Sequence, residues 1–505
     1  MKYKKLLFSI LFLGFLIRII FLFQFKDTCF FNTYLMDKHD QKTFILWAEK
    51  IQKSPFYVDG KIFYMAPLYP YFLALLLSIF RGNLLLVSFF QLLIDLLLCY
   101  FLYLLGKKIN DEKTGIIAAS FACFYRTFIV YAGSILSDSF ILFLYISFIL
   151  SIYLSLEKPS LIKWILSGII LGLSALSKPT IGIYLPFLLT GLLIYPENLL
   201  PHPKFSKRRQ GFFVFLILLI TSGFTILPFT IRNYIVGKDF VPICSNGPVN
   251  WKIGNSADSL GLFCYPKGPL LSPFSLPFWK LFFKKLVFFF TNYEWPQNLN
   301  VYLVEKVAPV LKFAFFHFGF IVSLGIAGTF LLFKNWKKNF LFISFTFTNI
   351  LWVVLFFVTD RYRLPAVGCL MVSASYLLVW IVEKIKVKDI KKIITTSFFV
   401  GIFYFIFNNT PGSAVRKVDY EIFSFLTKKN VFYELKNGNI EKAKIIADKF
   451  AKLLPENPDA HFLLGCVYVE MGKKKEAIEE LKKAINLNPD FELAKKFLKE
   501  LEQSF

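Results

Sequence analysis

Apolar residues along this chain fall in blocks long enough to cross a bilayer as helices, a length of about 20 residues each. Eleven blocks stand out, at residues 6–25, 84–105, 114–132, 139–156, 162–177, 180–195, 211–229, 309–333, 339–358, 365–383 and 391–407. They predict an all-α, polytopic membrane domain over residues 1–410. The first block follows Lys2, Lys4 and Lys5. Its apolar run exceeds a signal-peptide core and no small-residue cleavage site follows, so it reads as a retained transmembrane helix.

The polar stretches between blocks give an orientation. Segments 106–113, 196–210, 334–338 and 384–390 carry Lys107, Lys108, Lys113, Lys204, Lys207, Arg208, Arg209, Lys334, Lys337, Lys338, Lys384, Lys386 and Lys388. The short segments on the other side, 133–138, 178–179 and 359–364, carry Lys178, Arg361 and Arg363. By the positive-inside rule the N-terminus is cytoplasmic, and the odd number of spans puts the C-terminus outside. For a bacterial-type inner membrane, two long loops, 26–83 and 230–309, then face the periplasm. Residues 67–80 are apolar but short, as in a juxtamembrane helix. Residues 278–290, FWKLFFKKLVFFF, set three lysines against aromatic residues. That pattern fits either an interfacial helix with Lys toward anionic headgroups or a half-buried helix covering the loop.

After residue 407 the apolar blocks stop. NNTPGS at 408–413 reads as a linker, and residues 420–505 as a separate soluble domain. Within 461–494, Leu464, Gly465, Tyr468, Ala477, Leu481, Ala484 and Pro489 have the offsets of a 34-residue tetratricopeptide repeat. His461 takes the place of the usual opening Trp. Ala443 and Pro455 lie one period earlier, so 427–460 reads as a degenerate repeat, and FELAKKFLKELEQ as a capping helix. Such repeats usually bind peptides or other protomers.

Composition agrees: 56% of the 505 residues are hydrophobic, 64 of them Phe. The net charge of +25 resides largely in the loops rather than in one patch, which argues against a nucleic-acid partner. Seven cysteines show no CxxC pair and no metal spacing. Cys99, Cys123 and Cys369 lie in apolar blocks; Cys244 and Cys264 share a loop, and the sequence leaves their pairing open.

Candidate chemistry gathers at the predicted outer ends of the spans. Asp37, His39 and Asp40 follow the first block. No further His or Cys pair completes a zinc site there, and no GxSxG supports a serine hydrolase. These carboxylates read either as a general base for an acceptor hydroxyl or as solvated loop charges. Asp138, in YAGSILSDSFILF, borders two spans, where ionisable residues are costly and tend to be functional. Asp95 lies inside a span and is expected to pair with another helix. Lys178, Arg232, Arg361 and Arg363 are the cations on the same face, suited to a phosphate-bearing lipid. Lys178 also fits simple snorkelling to the interface.

An acidic residue seven positions before Trp47-Ala48, then FYMAPLYPYFLAL, GKKINDEKTGIIAA, YAGSILSD, LGLSALSKPT, IRNYIVGKDFVPICSNGPVNWKIGN and RYRLP, come in this order. The series resembles the GT-C superfamily of membrane glycosyltransferases, in particular bacterial relatives of the protein O-mannosyltransferases and of the lipid A aminoarabinose transferase, over about residues 1–410. The resemblance implies an inverting transfer from a polyprenyl-phosphate sugar to an acceptor hydroxyl of a lipid, a glycan or a protein. It selects Asp40 over Asp37 as base and makes Asp138 the second acidic residue; Arg363, Arg361, Arg232 and Lys178 are then the candidates to stabilise the donor phosphate. Gln41 stands where many relatives carry a second acid, which leaves use of a divalent cation open. A transporter, a non-catalytic scaffold, and a ligase or polymerase of lipid-linked oligosaccharide are the alternative readings.

Overall fold

The computed structural model describes residues 2–31, 39–56, 58–201, 206–408 and 417–503. The first helices are α1 (Lys2–Phe25), α2 (Asp40–Lys53), α3 (Leu68–Ile79), α4 (Leu84–Ile109), α5 (Glu112–Cys123), α6 (Arg126–Gly133), α7 (Asp138–Glu157) and α8 (Leu161–Ser177). Next come α9 (Leu185–Ile194), α10 (Lys207–Gly237), α11 (Gly247–Asn255), α12 (Leu276–Phe290), α13 (Val301–Val307), α14 (Phe318–Leu332), α15 (Trp336–Leu355), α16 (Asp360–Lys386) and α17 (Ile390–Asn408). The C-terminal helices are α18 (Lys417–Lys436), α19 (Ile440–Leu453), α20 (Pro458–Glu470), α21 (Lys474–Leu487) and α22 (Glu492–Gln503).

The chain is a multi-pass membrane protein. Among the described residues, seven helical segments are long and apolar enough to cross a membrane, against the eleven blocks of the sequence. Block 114–132 is broken at Phe124 and Tyr125, where the backbone turns extended ahead of α6. Blocks 162–177 and 180–195 form shorter helices, and blocks 309–333 and 339–358 fall in one helical segment, Phe318–Leu355. The short α8 packs closely against α10. A Cβ at Gly168 or Gly172 would lie 1.7 Å from Thr221 Oγ1 or 2.6 Å from Thr225 Cβ, so these two glycines let α8 approach α10.

The chain forms two compact units. The first comprises Met1–Arg18, Phe44–Gln297 and Phe313–Pro411. Its buried Asp95 pairs with α1, as expected: Arg18 donates to Asp95 Oδ2 through Nε at 2.8 Å and NH2 at 2.5 Å. Arg18 NH1 also donates to the carbonyls of Gly14 and Cys123, which fastens α1 to α4 and to the end of α5.

Helix α12 divides the three lysines of FWKLFFKKLVFFF. Leu276, Trp279, Phe283 and Val287 are exposed, with Lys280 and Lys284 beside them, the pattern of an interfacial helix. Lys285 is on the opposite face with Phe278, Leu281 and Phe289, fully buried. It does not reach toward headgroups. Its Nζ donates to Gly254 O, Asn255 Oδ1, Leu355 O and Phe356 O at 2.9–3.2 Å, so one cation closes the C-termini of α11 and α15. Gly254 permits this approach, because a Cβ there would lie 1.9 Å from Phe356 O.

Burial without a carboxylate partner pulls the Lys285 ammonium down from 10.5 to about 7. Between those two values the unfolded chain holds more protons here than the folded one. The cost of the buried charge is therefore full below pH 7 and fades as pH rises toward 10.5. In thermal unfolding, wild type should gain on Lys285→Met as pH rises from about 7 to about 9. A difference that does not move with pH would mean that the four oxygens keep Nζ charged throughout.

The second unit comprises Ile19–Thr43, Asn298–Lys312 and Gly412–Phe505. The sequence drew the boundary differently, with one domain at 1–410 and one at 420–505. Helices α18 to α21 form two helix pairs followed by α22. Gly465 sits against Leu481, where a Cβ would fall 2.8 Å from its Cγ, the small-against-large packing that the repeat pattern predicts. His461, in place of Trp, bridges Glu480 (2.6 Å from Nδ1) and the Pro455 carbonyl (2.7 Å from Nε2). Cys244 and Cys264, whose pairing the sequence left open, are free thiols.

Candidate active site

Helix α7 starts at Asp138, whose carboxylate lies in the first turn, where the helix dipole favours negative charge. Helix α16 starts at Asp360 behind Thr359, whose Oγ1 accepts from the Tyr362 amide at 3.3 Å. Two buried side chains at these helix starts meet: Arg361 Nε donates to Asp138 Oδ1 at 2.9 Å. The Arg361 guanidinium carbon is 5.4 Å from the Tyr362 ring centre. Lys178, at the end of α8, holds its Nζ 3.3 Å from that ring centre and 4.2 Å from that of Trp352. Its own carbonyl accepts from Tyr145 at 3.0 Å. The Lys178 ammonium is thus held by aromatic faces. Lys178 and Arg361, the latter bonded to Asp138, thus both lie near the Tyr362 ring.

Asp360 adds a carboxylate to this group. Its Oδ1 accepts from Tyr131 Oη and from the Arg361 amide, each at 2.7 Å. Asp138 Oδ2 and Asp360 Oδ2 are buried and have no partner among the described residues.

The two other arginines are committed to loops. Arg363 NH1 donates to the carbonyls of Phe289 and Thr291, and NH2 to Tyr293 O at 2.8 Å and Glu294 Oε2 at 2.5 Å. Its Nε has no partner among the described residues. Glu294 Oε1 accepts from Tyr125 Oη at 2.5 Å and Thr127 Oγ1 at 3.0 Å. Arg232 donates to the carbonyls of Phe56, Val58 and Lys61, and lies 4.0 Å from the Phe63 ring centre. Its neighbour Asn233 donates to Val241 O and Ile243 O and accepts from the Phe63 amide. The IRNY motif therefore binds residues 56–63 to residues 241–243.

Asp40 belongs to the second unit and opens α2. Its Oδ2 accepts from Asn298 Nδ2 at 2.8 Å, and His39 Nε2 lies 2.8 Å from the Asn298 carbonyl. Asp37 lies outside the described residues. Among the described residues no three His, Cys, Asp or Glu side chains come together as a metal site requires. They offer no ready ligand set for a divalent cation.

Sequence reasoning passed over Tyr131, Glu294, Asn298 and Asp360. Asp360 was open to view, next to the quoted RYRLP. Glu294 is a lone acid in an aromatic loop and Asn298 an ordinary Asn, and their partners lie far away in sequence.

Residues 65–226, which include Asp138 and Lys178, match the family model described as dolichyl-phosphate-mannose-protein mannosyltransferase. Residues 458–491 match the tetratricopeptide repeat. No curated protein matches the chain. Among solved structures, the archaeal oligosaccharyltransferase AglB from Archaeoglobus fulgidus, in complex with an inhibitory peptide and a dolichol-phosphate, is similar at 14% identity and a TM-score of 0.49, over 80% of this chain and 54% of that one. The oligosaccharyltransferase of the same organism in complex with Zn and sulfate gives 14% identity and 0.48, over 83% and 55%. The chain spans about half the length of these relatives.

Proposed function

We propose that this chain is an inverting membrane glycosyltransferase that moves a sugar from a polyprenyl-phosphate donor to an acceptor hydroxyl at the periplasmic face of an inner membrane. The observation that carries the reading is the buried Asp138–Arg361 pair at the starts of α7 and α16, with Asp138 inside the segment that matches the mannosyltransferase family model. A transporter would be expected to carry its ionisable residues on broken helices near the midplane. Here Asp138 and Arg361 stand at the starts of α7 and α16, and Lys178 at the end of α8.

In this mechanism Asp40 takes the proton of the acceptor hydroxyl. The hydroxyl oxygen attacks the anomeric carbon, the bond from that carbon to the phosphate oxygen breaks, and polyprenyl phosphate leaves with the electron pair. Arg361 and Lys178 meet the charge that develops on the leaving phosphate. Asp138 orients Arg361. Arg232 and Arg363, whose donors are largely spent on carbonyls, act by holding the loops rather than by binding phosphate.

Arg361→Lys keeps a cation beside Asp138 and loses the guanidinium fork. Turnover of a labelled polyprenyl-phosphate sugar should fall ~10²-fold. Lys107→Met, which removes an exposed charge paired with Glu112 near the end of α4, should leave turnover unchanged and serves as the control. Wild-type turnover by Arg361→Lys would remove Arg361 from the phosphate. Transfer of intact donor across vesicles, without cleavage, would favour the transporter.

A further inference from the structure

We infer that the helix pair α18–α19, which precedes the matched repeat, positions Asp40, the base of the reaction proposed above, in addition to any partner the repeat binds. The inference rests on that reading of Asp40. Two chains of contact, both within the second unit, run from this helix pair to the carboxylate.

One begins on α18. The ring of Phe423 stacks on that of Phe30, with centres 5.4 Å apart and planes 10° from parallel, and its edge meets Phe450 of α19 at 5.4 Å. Thr427 Oγ1 lies 3.7 Å from Cys29 Sγ. Phe30, Cys29 and Phe423 are all buried. The carbonyl of Phe30 accepts from Gln41 Nε2 at 3.3 Å. Gln41 directly follows Asp40 and is fully buried. The residue that departs from the resemblance, Gln41 in place of an acid, is the one that ties α2 to the segment that α18 backs.

The other begins on α19, which packs against α13. Helix α13 is fixed at its start by Asn300, whose Oδ1 accepts from the amides of Tyr302 and Leu303 at 3.0 and 3.1 Å. Leu299 is buried. Just before them Asn298 adopts a left-handed conformation, φ 66°, which Asn tolerates better than most residues. In that conformation its side-chain amide donates to Asp40 Oδ2 while its carbonyl faces His39 Nε2. His39 Nδ1 accepts from the Gln41 amide at 3.4 Å. Asp40 is thus flanked by two residues, Gln41 and Asn298, that lead back to α18 and α19 respectively.

An amide donor on one oxygen orients the carboxylate and favours its charged form. Both are what a base requires.

The test uses the full chain in nanodiscs, with donor turnover measured against pH. Asn298→Gly keeps the left-handed backbone and deletes the amide. Its kcat should fall ~10–10²-fold, as for a slightly misplaced catalytic group. The acid limb of its pH profile should move to higher pH, because the charged form has lost a donor. Phe423→Ala, which removes the ring on α18 that stacks on Phe30 and leaves the direct partners of Asp40 in place, should lower kcat with donor KM unchanged; Phe423→Leu should restore part of it. Should Phe423→Ala not accumulate, Phe423→Leu is compared with wild type directly. Wild-type kcat and an unmoved acid limb in Asn298→Gly, or wild-type kcat in Phe423→Ala, overturn the inference. If Asp40→Asn is inactive in the same assay, the base reading stands without it; if Asp40→Asn is active, that reading falls instead.

Discussion

Asp40→Asn should turn over a labelled polyprenyl-phosphate sugar ~10²–10⁴-fold more slowly than wild type, the usual cost of removing a general base. The substitution keeps the shape of the side chain and removes its basicity. It also exchanges an acceptor facing Asn298 Nδ2 for an amide that can turn its oxygen to the same donor, so the local fold should persist. Protein yield and thermal unfolding should therefore stay close to wild type while kcat falls. Asp37→Asn should cost much less. Near-normal turnover by Asp40→Asn would remove it as base. An inactive Asp37→Asn would mean that the register taken from Trp47 is three residues off, and the site would have to be rebuilt around Asp37.

What was legible in the sequence followed from short-range regularities. Apolar block length identified the long spans, and it failed where a block contains a break that costs little apolarity: Phe124 and Tyr125 keep 114–132 hydrophobic while their backbone ends one helix and starts another. The repeat offsets identified α20 and α21 because their small residues face large ones at fixed spacing. Lys285 shows a signal that was present and unused. It is seven residues after Phe278, four after Leu281 and four before Phe289, the spacing of one helix face, and that face is buried. Lys280 and Lys284 fall off it.

The roles of the polar residues were less legible, because type and spacing do not reveal a distant partner. Asp138 and Arg361 were each singled out, but their mutual pairing spans 223 positions. Arg363 and Arg361 looked equivalent in RYRLP. Two positions apart on a helix, they point in different directions, one to Asp138 and the other to Glu294 and three backbone carbonyls. Asn298 had no local signature at all; its importance comes from a left-handed backbone angle and from Asp40, 258 positions earlier.

Arg363→Met should destabilise the protein by about 3–5 kcal/mol, the typical cost of removing one member of a buried ion pair. Arg363 is fully buried and Glu294 nearly so. Without the guanidinium, the Glu294 carboxylate keeps its hydrogen bonds from Tyr125 and Thr127 but loses its cation, and the carbonyls of Phe289, Thr291 and Tyr293 lose their donor. Arg363→Lys should recover only part of the loss, because an ammonium cannot reproduce the planar fork that serves several acceptors. In the double variant Arg363→Met/Glu294→Gln the uncompensated charge is gone, so its loss should be smaller than the sum of the two single losses. Thermal unfolding in detergent gives the stabilities, and donor turnover by the folded fraction gives the function. A loop-holding Arg363 predicts low stability with donor KM near wild type. If Arg363→Met instead unfolds like wild type and raises donor KM sharply, the guanidinium binds the donor phosphate, as its place in the sequence suggested, and its contacts with the 289–294 loop are secondary.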